Sequence, residues 1–382
     1  MITLEQYELL CSDRLHQTID QQIERDPTRI ALDKRIEHAA LVATQVKYLQ
    51  RARTKLPRYY EARCILPPLA FEQASSEACA ARKSCRGESV LDLTCGLGVD
   101  ALYLAQHFER VITLERNEVL AAIAAENFRR LGVTNIQVIH DSAEHFLPLV
   151  QERFDWIYAD PDRRSTEGRK LVRLEDCSPD ILALRSEIFR RTDRLCLKNS
   201  PLFDVQEAFR LFEKARVEVV SLHDECKEVM IYADNGGPLL TAVAIGRGEF
   251  SARPEQIGKI QTPAFDPGAY HWLFLPDVSL QKARLTPHYL EGRADLWSVN
   301  GYGFARERSE APMGRWMEID RIEPYNPKKL RHDLKGRKIT LLKQDFPLNT
   351  AEIASRLGIH PGNEGYIAFT KIGQDYWTIR LK

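Results

Sequence analysis

The chain has 382 residues, of which 54 are basic and 54 acidic, so its formal charge is zero; 44% of residues are hydrophobic and 28% charged. This is the make-up of a globular protein with room for two or three domains, and it excludes a whole-chain polycation, so any nucleic-acid face must be local. No apolar run approaches membrane-spanning length, MITLEQYELLCSDR reads as an amphipathic helix rather than a signal peptide, and the eight cysteines contain no C-x-x-C pair. Those features lead us to expect reduced thiols, no metal and a cytoplasmic location.

Residues 1–86 lack strand alternation and are predicted to be helical, with Ile36, Ala39, Ala40, Ala43 and Val46 at helical spacing and interruptions at Pro57 and Pro67-Pro68. From Ser89 the pattern becomes strand, helix, strand. The predicted strands are SVLDL, RVITLE, IQVIH, FDWIYA and RLCLKN, followed by VEVVSL, EVMIYAD and LLTAVAI. Helices are expected between them, at ALYLAQHF (with Phe108 on its apolar face) and at EVLAAIAAENFRRLG, which stops at Gly132. Alternation of this kind predicts an α/β fold with a doubly wound, mostly parallel sheet, and the short connections late in the series predict an antiparallel edge. Prolines 254, 263 and 267 punctuate a linker, and smaller mixed segments follow, with a helix at NTAEIASRLG and closing strands YIAFTKI and YWTIRL.

The first strand runs into VLDLTCGLGVDA. Gly96 and Gly98 let the backbone turn tightly at the start of a helix, where amide N–H groups point at a ligand. The loop alone also fits a nicotinamide dinucleotide. The acids shift the balance. Asp92 at the strand end would repel a pyrophosphate but suits a ligand carrying an ammonium and a sulfonium. Glu115 ends the second strand, placed for ribose hydroxyls, and Asp141 ends the third, placed for an adenine amino group. Each acid alone could be a helix cap; four successive strands ending in Asp92, Glu115, Asp141 and Asp160 favour S-adenosyl-L-methionine.

VLDLTCGLGVDALYLA, VITLERN, VIHDSAEHF and YADPDRR together resemble a class I S-adenosylmethionine-dependent methyltransferase with its Rossmann-like sheet. More narrowly, LPPLAFEQASSEACA, DLTCGLGVD, DPDRR and HDECKE resemble bacterial methyltransferases whose C-terminal end carries a small ferredoxin-like domain and then a THUMP-like one. YHWLFLPDVSLQKA resembles the start of the former and RIEPYNPKKLRHDLKG the start of the latter. The resemblance implies a helical domain at 1–86, a methyltransferase domain at 87–250, a ferredoxin-like domain at 262–320 and a THUMP-like domain at 321–382. It also implies cofactor contacts from Thr94, Cys95, Asp100, Arg116, Ser142 and Asp160, with Gln73 and Ser75 or Ser76 closing over the methionine end. Ser75 or Ser76 is in any case expected to cap the helix EACAARKS.

FDWIYADPDRR ends an apolar strand in charge. Methyl transfer to a nitrogen is an in-line displacement in which the acceptor must be aligned and its proton accepted. Asp160-Pro161 suits that work, the carboxylate accepting one N–H and the proline stiffening the backbone. Asp162 and Arg163 stand where the commoner amine-methylating pattern has a second proline and an aromatic ring; Arg163 or Arg164 could stack on a base or clamp a phosphate. An arginine after acid–proline also resembles uracil C5 methyltransferases, but Cys196 lies three residues before the comparable tip position, Asn199, which disfavours a covalent route. Lys198 could face the acceptor or merely snorkel from the strand end. In HDECKE, read as a turn between two late strands, Lys227 is a candidate substrate contact. Across 328–343 seven basic residues face one acid, Asp333, which makes Lys335, Arg337 and Lys338 candidates for phosphate contacts. The expected partner is RNA, engaged through the C-terminal domains. A protein or small-molecule acceptor, or a non-catalytic cofactor-binding scaffold, remains open from the sequence.

Overall fold

The computed structural model describes residues 2–163 and 174–382. Nine strands form the large sheet: β1 (Gly87–Asp92), β2 (Phe108–Glu115), β3 (Ile136–His140), β4 (Trp156–Ala159), β5 (Leu195–Asn199), β6 (Arg216–Leu222), β7 (Glu225–Ala233), β8 (Leu239–Ala244) and β9 (Gly248–Ala252). Their order is β9-β8-β6-β7-β5-β4-β1-β2-β3. The pairs β1–β2, β2–β3, β1–β4 and β4–β5 are parallel, as is β6–β8, while β8–β9 is antiparallel, which supplies the expected edge. β4 is buried at every residue, as befits a central strand covered on both faces.

The chain divides into two compact units, Met1–Glu207 with Met230–Asn235 and Ala208–Val229 with Gly236–Lys382. In the first, helices fill the stretch before β1. Pro57 and Pro68 open helices Pro57–Glu61 and Pro68–Gln73, at the position where a missing N–H costs nothing. The buried stripe of helix Ala39–Lys55 runs through Val42, Ala43, Val46, Leu49 and Ala52. Of the expected positions Ala43 and Val46 lie on this stripe; Ile36 precedes the helix, and Ala39 and Ala40, in its first turn, are not buried. Helix Val99–Leu104 is also shorter than expected: Phe108 is the first residue of β2, paired with Gly87, not part of the helix. Helix Glu118–Arg130 follows its sequence signals closely, with Asn117 accepting from Leu120 N, Glu118 in the first turn and two arginines in the last.

One irregular segment, Ile65-Leu66, is held by two carboxamides. Asn127 Oδ1 accepts from Ile65 N (2.7 Å) and its Nδ2 donates to Ile65 O (2.9 Å). Gln45 Oε1 accepts from Leu66 N (3.0 Å) and its Nε2 donates to Leu66 O (3.3 Å). Two buried side chains from two helices thus satisfy four backbone groups that no strand partner meets.

In the second unit, His223 and Asp224 form the two-residue turn between β6 and β7, both with positive φ (54° and 61°), the geometry of a tight hairpin. Only these two residues of HDECKE are turn; Glu225 to Glu228 belong to β7, a correction to the expected loop, and arise because a two-residue turn leaves no slack. Asp224 pairs with Arg247, which also reaches the buried Asp277 at 3.2 Å. Asp277 in turn accepts from the Ser221 hydroxyl (2.5 Å) and caps the helix that follows it. A second sheet of six strands comprises β10 (Trp272–Pro276), β11 (Gly303–Ala305), β12 (Gly314–Pro324), β13 (Thr340–Lys343), β14 (Tyr366–Ile372) and β15 (Asp375–Leu381), in the order β11-β10-β12-β15-β14-β13. β12 pairs with β10 through its first half and with β15 through its second, so it runs across position 320 without a break. Alternation along β14 sends Ile367 and Phe369 to a core with Leu330, Ile353 and Leu357, and Ala368 to one with Leu273, Phe304 and Ile379.

Candidate functional site

The C-terminal ends of β1, β2, β3 and β4 converge on a cavity of about 760 Å3 in the first unit, within the range of small-molecule and cofactor sites and at the end of the sheet where ligands of such folds bind. Its floor is the loop after β1. Gly96 and Gly98 have φ of 55° and 83°, and a Cβ on Gly98 would lie 2.5 Å from Phe128 Cζ, so only glycine permits this loop to pack on helix Glu118–Arg130. Thr94 ties two strand tips together. Its backbone N–H and hydroxyl donate to Asp92 Oδ1, and its Oγ1 accepts from Asp160 N at 2.7 Å.

Asp92 does not face the cavity. It is 1% exposed, and its carboxyl is turned onto Thr94 and the Thr113 hydroxyl (2.7 Å). Burial drives its pKa up to about 7 against those hydrogen bonds. A strand-end position fixes where the backbone is, not which way the side chain turns, and the neighbouring threonines win this one.

Glu115 does line the cavity, with Oε2 accepting from Gly96 N and Oε1 from Asn117 N, each at 2.9 Å. Burial raises its carboxyl above the usual range despite those donors. Asp141 lines it too, sharing a 2.9 Å contact with His145 Nδ1 and accepting from Ser142 N. Cys95, Arg116, Ser142, Asp160 and Asp162 also reach the wall, as do Gln73 and Ser75 from the segment before β1. Arg116 is braced by Ser178 Oγ at 3.0 Å, in the short ribbon that pairs Asp162-Arg163 with Cys177-Ser178. Ser76 stands off the wall and caps helix Glu77–Ala80, whose four residues replace the longer helix expected; Ser75 Oγ instead donates to Asp100. Gly98 and Pro161 shape the backbone without lining the cavity. Arg164 lies outside the described residues.

From Asp160 on the wall a row of charge runs inward. Lys198, on β5, contacts Asp160 and lies 3.6 Å from Asp100. Asp100 is paired with Lys83 at 2.8 Å. Burial would raise the Asp100 carboxyl, but the two ammonium groups and the Ser75 hydroxyl outweigh it and hold it well below the usual carboxylate range.

Sequence reasoning missed two contributors. Lys83 sits in a stretch with no local signal. The opposite wall of the cavity is helical, from Ile2, Gln6, Leu41 and Thr44 to Pro67 and Leu69; proline-opened helices gave no hint that they face a ligand site. Leu120 and Ile123 of helix Glu118–Arg130 line the cavity as well.

The remaining candidates belong to the second unit. Lys227 is paired with Glu225 at 2.5 Å. In the basic stretch, Lys329 is bound to Glu323 and Lys343 donates to Phe346 O and Leu348 O, so both are committed internally. Lys335, Arg337 and Lys338 are exposed, with Arg337 3.9 Å from Glu364. Among the described residues no group of His, Cys, Asp and Glu side chains is arranged to hold a metal ion, and no helix is long and apolar enough to cross a membrane.

Comparison with known proteins accords with this geometry. A family model for a methyltransferase domain matches residues 90–165, and one described as THUMP domain-like matches 314–381. A 145-residue stretch is 33% identical to the 23S rRNA (uracil(1939)-C(5))-methyltransferase RlmD of Edwardsiella ictaluri (strain 93-146), covering 34% of this chain and 33% of that protein. A 113-residue stretch is 31% identical to ribosomal RNA small subunit methyltransferase J of Coxiella burnetii (strain Dugway 5J108-111), covering 25% of this chain and 44% of that one. The chain therefore spans less than half the length of these two relatives. A solved structure from Porphyromonas gingivalis W83, named as a candidate methyltransferase, matches with a TM-score of 0.80 at 24% identity over 96% of each chain, and so shares the fold. The chain thus joins a methyltransferase domain to a THUMP-like C-terminal domain.

Proposed function

We propose that this protein is a cytoplasmic enzyme that transfers a methyl group from S-adenosylmethionine to a nitrogen of a base in structured RNA. The observation that carries the cofactor is the charge of the cavity: six carboxylates (Asp100, Glu115, Asp141, Glu144, Asp160 and Asp162) line it against one guanidinium, Arg116. A pyrophosphate would find almost no counter-charge there, whereas a ligand with a sulfonium and an ammonium is favoured. The residues present also fit its other parts. Glu115 retains lone pairs toward ribose hydroxyls, Asp141 toward an adenine amine, and Leu120 offers an apolar face. When bound, the cofactor supplies an electrophilic methyl group on sulfur.

The chain's own part is to present the acceptor. Lys198 occupies Asp160 Oδ2, leaving Oδ1 to accept an N–H from the acceptor amine. Thr94 fixes the Asp160 backbone, and Pro161 limits its swing. Hydrogen bonding to Oδ1 then orients the nitrogen lone pair and takes up part of the charge that develops as the proton is lost. Asp162 shapes the mouth; a planar contact with base or phosphate is proposed for Arg163 or Arg164, whose side chains lie outside the described residues. A carbon acceptor attacked through a cysteine adduct fits poorly. Cys95, on the cavity wall, is held protonated by burial, and Cys196 is wholly buried. RNA as the substrate is supported by the similarity to two ribosomal RNA methyltransferases and by the exposed Lys335, Arg337 and Lys338 of the THUMP-like domain.

The test is nucleoside mass spectrometry of total RNA from cells with and without the gene, followed by methylation of that RNA with purified protein. Loss of one N-methylated nucleoside, restored in vitro, is expected. An unchanged nucleoside profile, with label appearing in protein or a small molecule, would overturn the RNA assignment.

A further inference from the structure

We propose that Lys83 is a positioning residue for methyl transfer: by neutralising Asp100 it leaves Lys198 free to hold Asp160. The proposal rests on the reading of Asp160 given above. Lys83 lies between helix Glu77–Ala80 and β1, and its side chain is 2% exposed. From there outward the charges alternate in sign: Lys83 to Asp100 at 2.8 Å, Asp100 to Lys198 at 3.6 Å, and Lys198 in contact with Asp160. Exposure rises along the row, with Asp100 and Lys198 at 12% and 11% and Asp160 at 35%.

That gradient decides what happens when the innermost charge is removed. Asp100, nearly dry, would be left with the Ser75 hydroxyl and the more distant of its two cations. An uncompensated buried carboxylate is far more costly than a half-exposed one, which water can solvate. Lys198 has a flexible four-carbon stem and only a short way to travel. It therefore exchanges Asp160 for Asp100, and Asp160 loses the cation that pins its Oδ2. Lys83 touches neither cavity nor acceptor, yet it sets which carboxylate Lys198 serves.

Three variants separate this from a packing role. In Lys83→Met, a crystal structure should show Lys198 Nζ bonded to Asp100 and withdrawn from Asp160. Turnover at saturating cofactor should fall about tenfold or more, with cofactor affinity measured by calorimetry changed less than about threefold. Lys83→Met/Asp100→Asn removes the orphaned charge as well, so in its crystal structure Lys198 Nζ should return to Asp160. Should the methionine variant fail to fold, Lys83→Gln, which keeps a hydrogen-bonding group, is expected to show the same exchange. Lys198 still on Asp160 in either single variant would overturn the proposal, as would Lys198 withdrawn from Asp160 in the double variant. The crystallographic result does not depend on turnover, so its failure is distinct from failure of the functional reading.

Discussion

Replacing Asp92 with asparagine should flatten the dependence of stability on pH. In the folded protein burial lifts this carboxyl from 3.8 to about 7, so the native state keeps the proton across a window in which the unfolded chain has lost it. The contribution to stability is fully present below about pH 4 and disappears as pH rises through 7. One pKa unit corresponds to about 1.4 kcal/mol, and between pH 5 and pH 8 the wild type should lose about 2.5 kcal/mol through this group. Asparagine keeps an acceptor for Thr94 N, and its amide can donate to the Thr113 oxygen, so both hydrogen bonds of the protonated acid have a counterpart. Urea denaturation followed by circular dichroism at the two pH values, for both proteins, isolates the difference; other titrating groups cancel. Wild type and Asp92→Asn losing the same stability, within about 0.5 kcal/mol, would refute the account of a carboxyl whose burial outweighs its hydrogen bonds.

Asp160→Asn keeps the shape of the strand tip, so S-adenosylmethionine binding should survive while turnover falls by ~10²-fold or more, as read by single-turnover kinetics. Glu115→Ala should weaken cofactor binding by about 1–3 kcal/mol in calorimetry, since it removes both the contact with ribose and the acceptor that holds Gly96 N. Changing Lys335, Arg337 and Lys338 together to glutamine should weaken RNA binding and flatten its salt dependence without altering cofactor affinity; an unchanged salt slope would remove these residues from the phosphate-contacting surface.

Much of the first unit was legible because its signals are local. Apolar runs ending in turn residues marked β1 to β5 to within two residues, and Gly132 marked the stop of the helix after β2. Side-chain direction was not legible. Asp92 and Glu115 both end strands, yet one turns inward to Thr113 and the other outward to the cavity, a choice made by neighbours 20 or so residues away in sequence. Lys83 was invisible for the same reason: its partner is set by the fold, and a lysine in a short polar stretch looks like any surface lysine. The basic stretch at 328–343 was overcounted, because Lys329 and Lys343 find partners that only the tertiary structure supplies. The helical wall of the cavity was missed because apolar residues at helical spacing signal burial without saying against what.

The paired carboxamides on Ile65-Leu66 bear on how this protein can be taken apart. Gln45 precedes the sheet by some forty residues and Asn127 lies on helix Glu118–Arg130, between β2 and β3, and both are buried, with Asn127 fully so. A fragment beginning at Gly87 would lose both hydrogen bonds between Asn127 and Ile65 and leave that carboxamide to water. Chimaeras that exchange the helices while keeping the recipient's sheet would have to transplant Gln45 and match Asn127 at once. The seam is sewn from both sides, and the N-terminal helices and the methyltransferase sheet are one unit of inheritance for any recombination experiment.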